Sequence, residues 1–223
     1  MRKLLFVFMI LCCCCGFAQG IKISKSTLDT AQPSDLDDIA ILHFENNLTD
    51  ACEFLTWNLS TGPNPFFSEN AAKFGDYGLR SAGSNTNTWS FSGFSGGIDF
   101  GIGTGDFTLE YWLRAGAISV FSPNAKYLFL TTDFDNYRLR MYYEKTATTT
   151  YLQPYAFVSG EELYFSNQER SSDWVHVCYE RHSGVLRAYI DGVFLGASSG
   201  NLGTASINTI GFSFSRVGNV YLQ

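Results

Sequence analysis

No window after Gly20 repeats its apolar residues at the i, i+3, i+4, i+7 spacing of a helix; short apolar or alternating runs follow one another instead, each closed by Gly, Asn, Asp or Ser. That pattern restricts the chain to β-structure. The runs are Ile39 to Phe44, Leu79 to Ala82, Phe107 to Arg114, Tyr127 to Thr132, Tyr137 to Tyr143, Trp174 to Arg181, Val185 to Ile190 and Val193 to Ala197. In Phe107 to Arg114 the alternation puts Phe107, Leu109, Tyr111 and Leu113 on one face and Thr108, Glu110, Trp112 and Arg114 on the other, and the first face is the core face. In Val185 to Ala197 two such runs flank Asp191-Gly192, a pair that accepts positive φ at both positions and closes a two-residue hairpin. Many strands, loops of mixed length and no helical crossover predict two packed antiparallel sheets, an all-β sandwich or jelly roll.

Aromatic residues make up 16% of the chain and charged residues the same share, which excludes disorder and coiled coil. A formal charge of −6, with no Lys/Arg run beyond the first three residues, excludes the basic footprint of a nucleic-acid partner. Residues 1–18 read as a secretory signal: Arg2 and Lys3, an apolar stretch from Leu4 to Phe17 that is short for a bilayer span, and Gly16 and Ala18 as the small residues before a cut after Ala18. The expected location is extracellular or at the cell surface, without membrane insertion after cleavage. Cys12 to Cys15 belong to that apolar run. Cys52 and Cys178 remain, able to form one bridge in an oxidising exterior or to stay as thiols, and two cysteines with no His pair nearby make no zinc site. Residues 19–38 are polar, lack a period and read as a linker or extended lead-in, and residues 39–223 form the domain.

Five blocks in order, Ala40-Ile41-Leu42-His43-Phe44-Glu45, Ala72-Lys73-Phe74-Gly75, Gly103 to Trp112 (GTGDFTLEYW), Trp174-Val175-His176-Val177 and Gly184 to Gly192 (GVLRAYIDG), resemble the laminin-G-like, concanavalin A-like lectin/glucanase jelly rolls. The form with Gly-Thr-Gly-Asp-Phe-Thr is similar to domains of secreted bacterial proteins and phage tail appendages. Two departures stand out. The family closes with a strand of the type Gly-x-Ile-Asp-(Asp/Glu)-Val-Arg, whereas here Gly218 to Gln223 stops in the middle of that position, so the resemblance implies a domain lacking its last strand, with an unpaired edge beside Ile39 to Phe44. The second is Gly83 to Gly97, expected as a loop and richer in Asn, Ser, Gly and aromatics than the usual connection.

Catalysis on such a fold needs two carboxylates across the scissile bond, and no such pair is evident; Glu161 and Glu162 are adjacent, and Glu110 reads as a structural acceptor. No Gly-x-Ser-x-Gly elbow opens a helix, and Gly101, Gly103 and Gly105 lead into a strand, not into the helix a phosphate loop requires. The residue types suit sugar better, because aromatic faces pack on pyranose C–H faces while amides and hydroxyls pair with sugar hydroxyls. The candidates are Trp89 with Asn85 and Asn87, Trp112 on the non-core face, and Tyr137 and Tyr143. No cofactor is assigned; calcium is the one inorganic candidate, at Asp133-Phe134-Asp135-Asn136, against the reading of that turn as simply solvated. Asn47-Leu48-Thr49 and Asn58-Leu59-Ser60 match the glycosylation acceptor, which matters only in a eukaryotic host. The expected function is a secreted, non-catalytic carbohydrate- or glycoconjugate-binding module within a larger extracellular protein. The alternatives are a structural or adhesive protein-contact module of a bacterial surface or phage appendage, and an accessory domain of an enzyme.

Overall fold

A computed structural model describes residues 21–26, 36–42, 45–47, 57–59, 66–80, 90–96, 105–115, 125–131, 139–145, 150–158, 161–170, 174–199, 209–214 and 220–222. In chain order the strands begin with β1 (Ile21–Ser26), β2 (Leu36–Leu42), β3 (Trp57–Leu59), β4 (Phe66–Ser68), β5 (Gly78–Arg80) and β6 (Ser90–Gly96). They continue with β7 (Asp106–Ala115), β8 (Ala125–Thr131), β9 (Leu139–Lys145), β10 (Thr150–Val158), β11 (Glu161–Tyr164) and β12 (Gln168–Arg170). Last come β13 (Val175–His182), β14 (Val185–Ile190), β15 (Val193–Ser198), β16 (Thr209–Phe214) and β17 (Val220–Leu222). A single 3-10 turn, Glu69–Ala71, is the only helical element among the described residues.

The strands form two antiparallel sheets, so the all-β, two-sheet sandwich expected from the alternation is the fold found. The first has nine strands in the order β15-β14-β13-β7-β17-β5-β4, with β1 also on β7 and β2 on β1; the second has eight, β11-β10-β9-β8-β16-β6-β3, with β12 on β10. Phe107, Leu109, Tyr111 and Leu113 are all buried, as the alternation of β7 requires, and pack with Val177, Tyr179, Leu186, Ala188 and Ile190. From the second sheet come Leu139, Met141, Leu152 and Ala156. Tyr179 spans the layers: its phenol oxygen accepts the Tyr155 N–H at 3.3 Å. The Phe165–Ser166 segment bridges the sheets: buried Phe165 donates its N–H to Pro154 O (3.0 Å) in the second sheet while Ser166 N–H donates to Leu195 O (3.1 Å) in the first.

Three expectations need correction. Ile21–Ser26, read as part of a linker or extended lead-in outside the domain, is the extended strand β1, paired with β2 and with Asp106 to Glu110 of β7. Ser90–Gly96, placed in a loop, is β6, held between β3 and β16. The last strand was expected to be missing, with an unpaired edge beside Ile39 to Phe44; among the described residues β2 does pair with β1 alone, but Val220 to Leu222, read as the start of that strand, form β17 on β5 and β7, opposite Ala115 to Leu113 of β7. β1 and β17 therefore lie end to end along one flank of β7. β10 escaped notice because Pro154 interrupts it; the proline sits where the outer partner of β10 changes from β12 to β11, and its carbonyl already faces that gap, so the missing N–H breaks no ladder bond.

Two charged side chains are buried among the described residues, Asp106 and Arg181. Asp106 Oδ1 accepts the Ser183 N–H (2.9 Å), its Oδ2 lies 3.2 Å from His182 Nδ1, and Arg181 Nη1 donates to Gly105 O (2.9 Å). Together they clamp the β13–β14 turn to the start of β7. Residues 1–18, read as a secretory signal, lie outside the described residues, and no helix of the described residues is long and apolar enough to cross a membrane.

Candidate functional site

Two tight hairpins build the outer face of the nine-stranded sheet. Ser183 (φ 51°) and Gly184 (φ 78°) join β13 to β14, and Asp191 (φ 49°) and Gly192 (φ 75°) join β14 to β15, both with positive φ at both central positions as the strand twist demands. Asp191 also locks its turn to β13: its carboxylate accepts the His176 N–H and its own N–H donates to His176 O, each at 2.8 Å. Because Leu186, Ala188 and Ile190 go inward, Arg187 and Tyr189 must go outward, and β13 and β7 repeat the rule with His176, Cys178, Glu180, Glu110 and Trp112.

Register then decides which of these meet. Trp112 lies opposite His176, Glu110 opposite Cys178, Cys178 opposite Tyr189 and Tyr189 opposite Phe194. The Tyr189 and Phe194 rings are 5.6 Å apart and Phe194 is 55% exposed, so the row runs from a half-buried centre to an open aromatic edge. The Tyr189 hydroxyl donates to Glu180 Oε2 at 3.3 Å; desolvation first, and the Glu180 charge after it, raise the phenol above its ordinary value. Glu180 in turn pairs across the strands with Arg187.

Cys178 is a free, half-buried thiol in the middle of this face. Burial first, then the carboxylates Glu110 and Glu180, push it up to about 12 from an ordinary 9.0. It is therefore a poor nucleophile, and alkylation by iodoacetamide at pH 8, followed by peptide mapping, is expected to label Cys178 far more slowly in the folded chain than after denaturation. The same shift has a sign for stability: the unfolded chain releases this proton near pH 9 and the folded chain holds it to about 12, so the contribution is full below pH 9 and lost as pH rises toward 12. Melting temperature measured against pH is expected to fall across that window.

Trp112, the expected site residue that is fully described, is largely committed to packing. Phe74 meets it edge-on (5.7 Å), His176 flanks it (5.0 Å) and Lys73 Nζ lies 4.4 Å above its ring. Its indole Nε1 is buried with no hydrogen-bond acceptor. The covering segment is anchored from afar, since Glu45 Oε2 accepts the N–H groups of Asp76 (3.2 Å) and Tyr77 (3.1 Å), joining two of the blocks noted in the sequence. Arg114 also donates to Asn70 O and stacks over Trp174 at 5.0 Å.

Tyr143 lies on β9 opposite Leu152, itself buried. Trp89, Asn85, Asn87, Tyr137, Cys52 and the turn from Asp133 to Asn136 lie outside the described residues. Among the described residues no group of His, Cys, Asp and Glu is set to hold a metal ion. Sequence reasoning passed over Tyr189, Phe194, Glu180 and Arg187; the alternation of Val185 to Ile190 put Arg187 and Tyr189 on the outward face but carried no sign of the ring pair that Tyr189 makes with Phe194.

No family model and no curated protein sequence matches the chain. Solved structures do. A botulinum neurotoxin type C chain is 12% identical with a TM-score of 0.52, over 82% of this chain and 45% of its own length. The binding domain of botulinum neurotoxin serotype D is 10% identical with a TM-score of 0.52, over 92% and 46%. A carbohydrate esterase of the Shiga toxin-encoding bacteriophage phi24B is 10% identical with a TM-score of 0.51, over 74% and 86%. The chain thus spans under half the length of the neurotoxin chains, and at these identities the likeness is one of fold alone, a two-sheet β-sandwich.

Proposed function

We propose that the chain is an exported, non-catalytic module that binds carbohydrate or glycoconjugates through the outer face of its nine-stranded sheet, as part of a larger extracellular protein. The observation that carries this is the Tyr189–Phe194 ring pair, with Phe194 exposed and Tyr189 half-buried, bordered by Glu180 and Arg187: a ring face for sugar C–H groups beside donors and acceptors for sugar hydroxyls. The fold likeness is in keeping with it, as cell entry of the type C neurotoxin depends upon interaction with two ganglioside molecules. The non-catalytic part rests on the chemistry of the face. Its two nucleophile candidates, Cys178 and Tyr189, are both held protonated, and Glu110 and Glu180 are engaged with them.

Glycan-array binding by the folded chain tests the proposal. Phe194→Ala is expected to weaken binding about tenfold, the worth of one ring contact, with little change in melting temperature because the side chain is more than half exposed. Binding that survives Phe194→Ala and Tyr189→Ala together would move the site elsewhere. A folded chain that binds no glycan but does bind proteins would favour the adhesive alternative.

A further inference from the structure

The sheet presents its rings at one per strand. His176 is on β13, Tyr189 on β14 and Phe194 on β15, three consecutive neighbours in the sheet order, while Trp112 on β7 lies under Phe74 and Lys73 at the far end. Adjacent strands are about 4.8 Å apart, a step close to the advance per ring of an extended glycan chain. His176 lies in one cross-strand row and Tyr189 and Phe194 in the next, so the three rings form a diagonal band across the strands and not a cup around one sugar.

Charge narrows the ligand further. Glu110 and Glu180 stand on either side of Cys178 near the middle of the band, with Asp191 at its margin and Arg187 as the facing cation. The cations at the Trp112 end are already engaged, Lys73 over the Trp112 ring and Arg114 with Asn70 O and Trp174. A sulfated or carboxylated sugar would meet these carboxylates inside an acidic protein.

We propose, resting on the glycan-binding function above, that the ligand is an extended, uncharged glycan chain laid across β13, β14 and β15, rather than a terminal monosaccharide or an acidic polysaccharide. The experiment is a length series, from monosaccharide to hexasaccharide, of several neutral glycans (cello-, laminari-, manno-, malto- and xylo-oligosaccharides), set beside alginate and polygalacturonate oligosaccharides and titrated into the folded chain. Affinity is expected to rise about tenfold or more between disaccharide and tetrasaccharide in at least one neutral series. Phe194→Ala is expected to flatten that rise, while Tyr164→Ala, an exposed tyrosine of the other sheet, leaves it unchanged. Saturable binding with monosaccharide and tetrasaccharide equal would overturn the chain while leaving glycan binding intact. Tighter binding of the acidic series would overturn the uncharged ligand alone. No binding of any member by a chain with native circular dichroism would overturn both this proposal and the function it rests on.

Discussion

Gly78→Ala is expected to destabilise the chain by about 3 kcal/mol, at the upper end of the ordinary range for overpacking. A Cβ at Gly78 would lie 1.9 Å from the carbonyl oxygen of Ala71, a backbone atom that no rotamer change can move aside. Either the Glu69–Ala71 turn lifts from β5 or β5 shifts against β4 and β17, and both neighbours are short. The damage should travel, because the segment that follows the turn carries Lys73 and Phe74 onto Trp112. Chemical denaturation would measure the loss, and tryptophan fluorescence would report Trp112 becoming wetter. An unchanged midpoint would mean that the turn does not rest on β5 in solution.

Phe107→Ala should cost more, about 3–5 kcal/mol, by leaving a cavity between the sheets where the side chain is 1% exposed. Phe107 pairs with Lys25 of β1 on one side and Arg181 of β13 on the other, so its row joins three strands and cannot collapse to fill the void without breaking register. For a chain of this size the loss corresponds to a fall of roughly 10 °C in melting temperature. Phe107→Leu, which keeps most of the volume, should recover more than half of it.

Parts of this molecule announced themselves by local chemistry. Asp191-Gly192 is one such part, since few dipeptides accept two positive φ values, and β7 is another, since four inward positions, Phe107, Leu109, Tyr111 and Leu113, alternate without a break. β1 did not, because Lys22, Ser24, Lys25 and Ser26 give Ile21–Ser26 no apolar face to see; its strand character comes from β7, far away in sequence. β6 was hidden by its composition, as serine and glycine between Phe91 and Phe94 resemble loop residues until β3 and β16 supply ladder bonds. The same limit applies to the site. Trp112 drew notice as a tryptophan on an outward position, but a single sequence cannot show that Phe74 and Lys73 would cover it. Tyr189 and Phe194 looked like ordinary strand residues because what distinguishes them, a ring pair at the open border of the sheet, depends on the bulge between Ala188 and Tyr189 that sets their register.

The end-to-end placement of β1 and β17 on β7 bears on time as well as on form. β7 finishes its pairing only when the first strand and the last have both arrived: Lys22 opposite Glu110 and Leu222 opposite Leu113. Closing such distant partners is costly in chain entropy and yields its contacts late, so refolding should be slow for a domain of this size. On a ribosome β1 must wait for β7 to be made, and the flank of β7 stays half bare until β17 has emerged. During that interval the unfilled length of β7 is the stretch most exposed to pairing with a neighbouring chain.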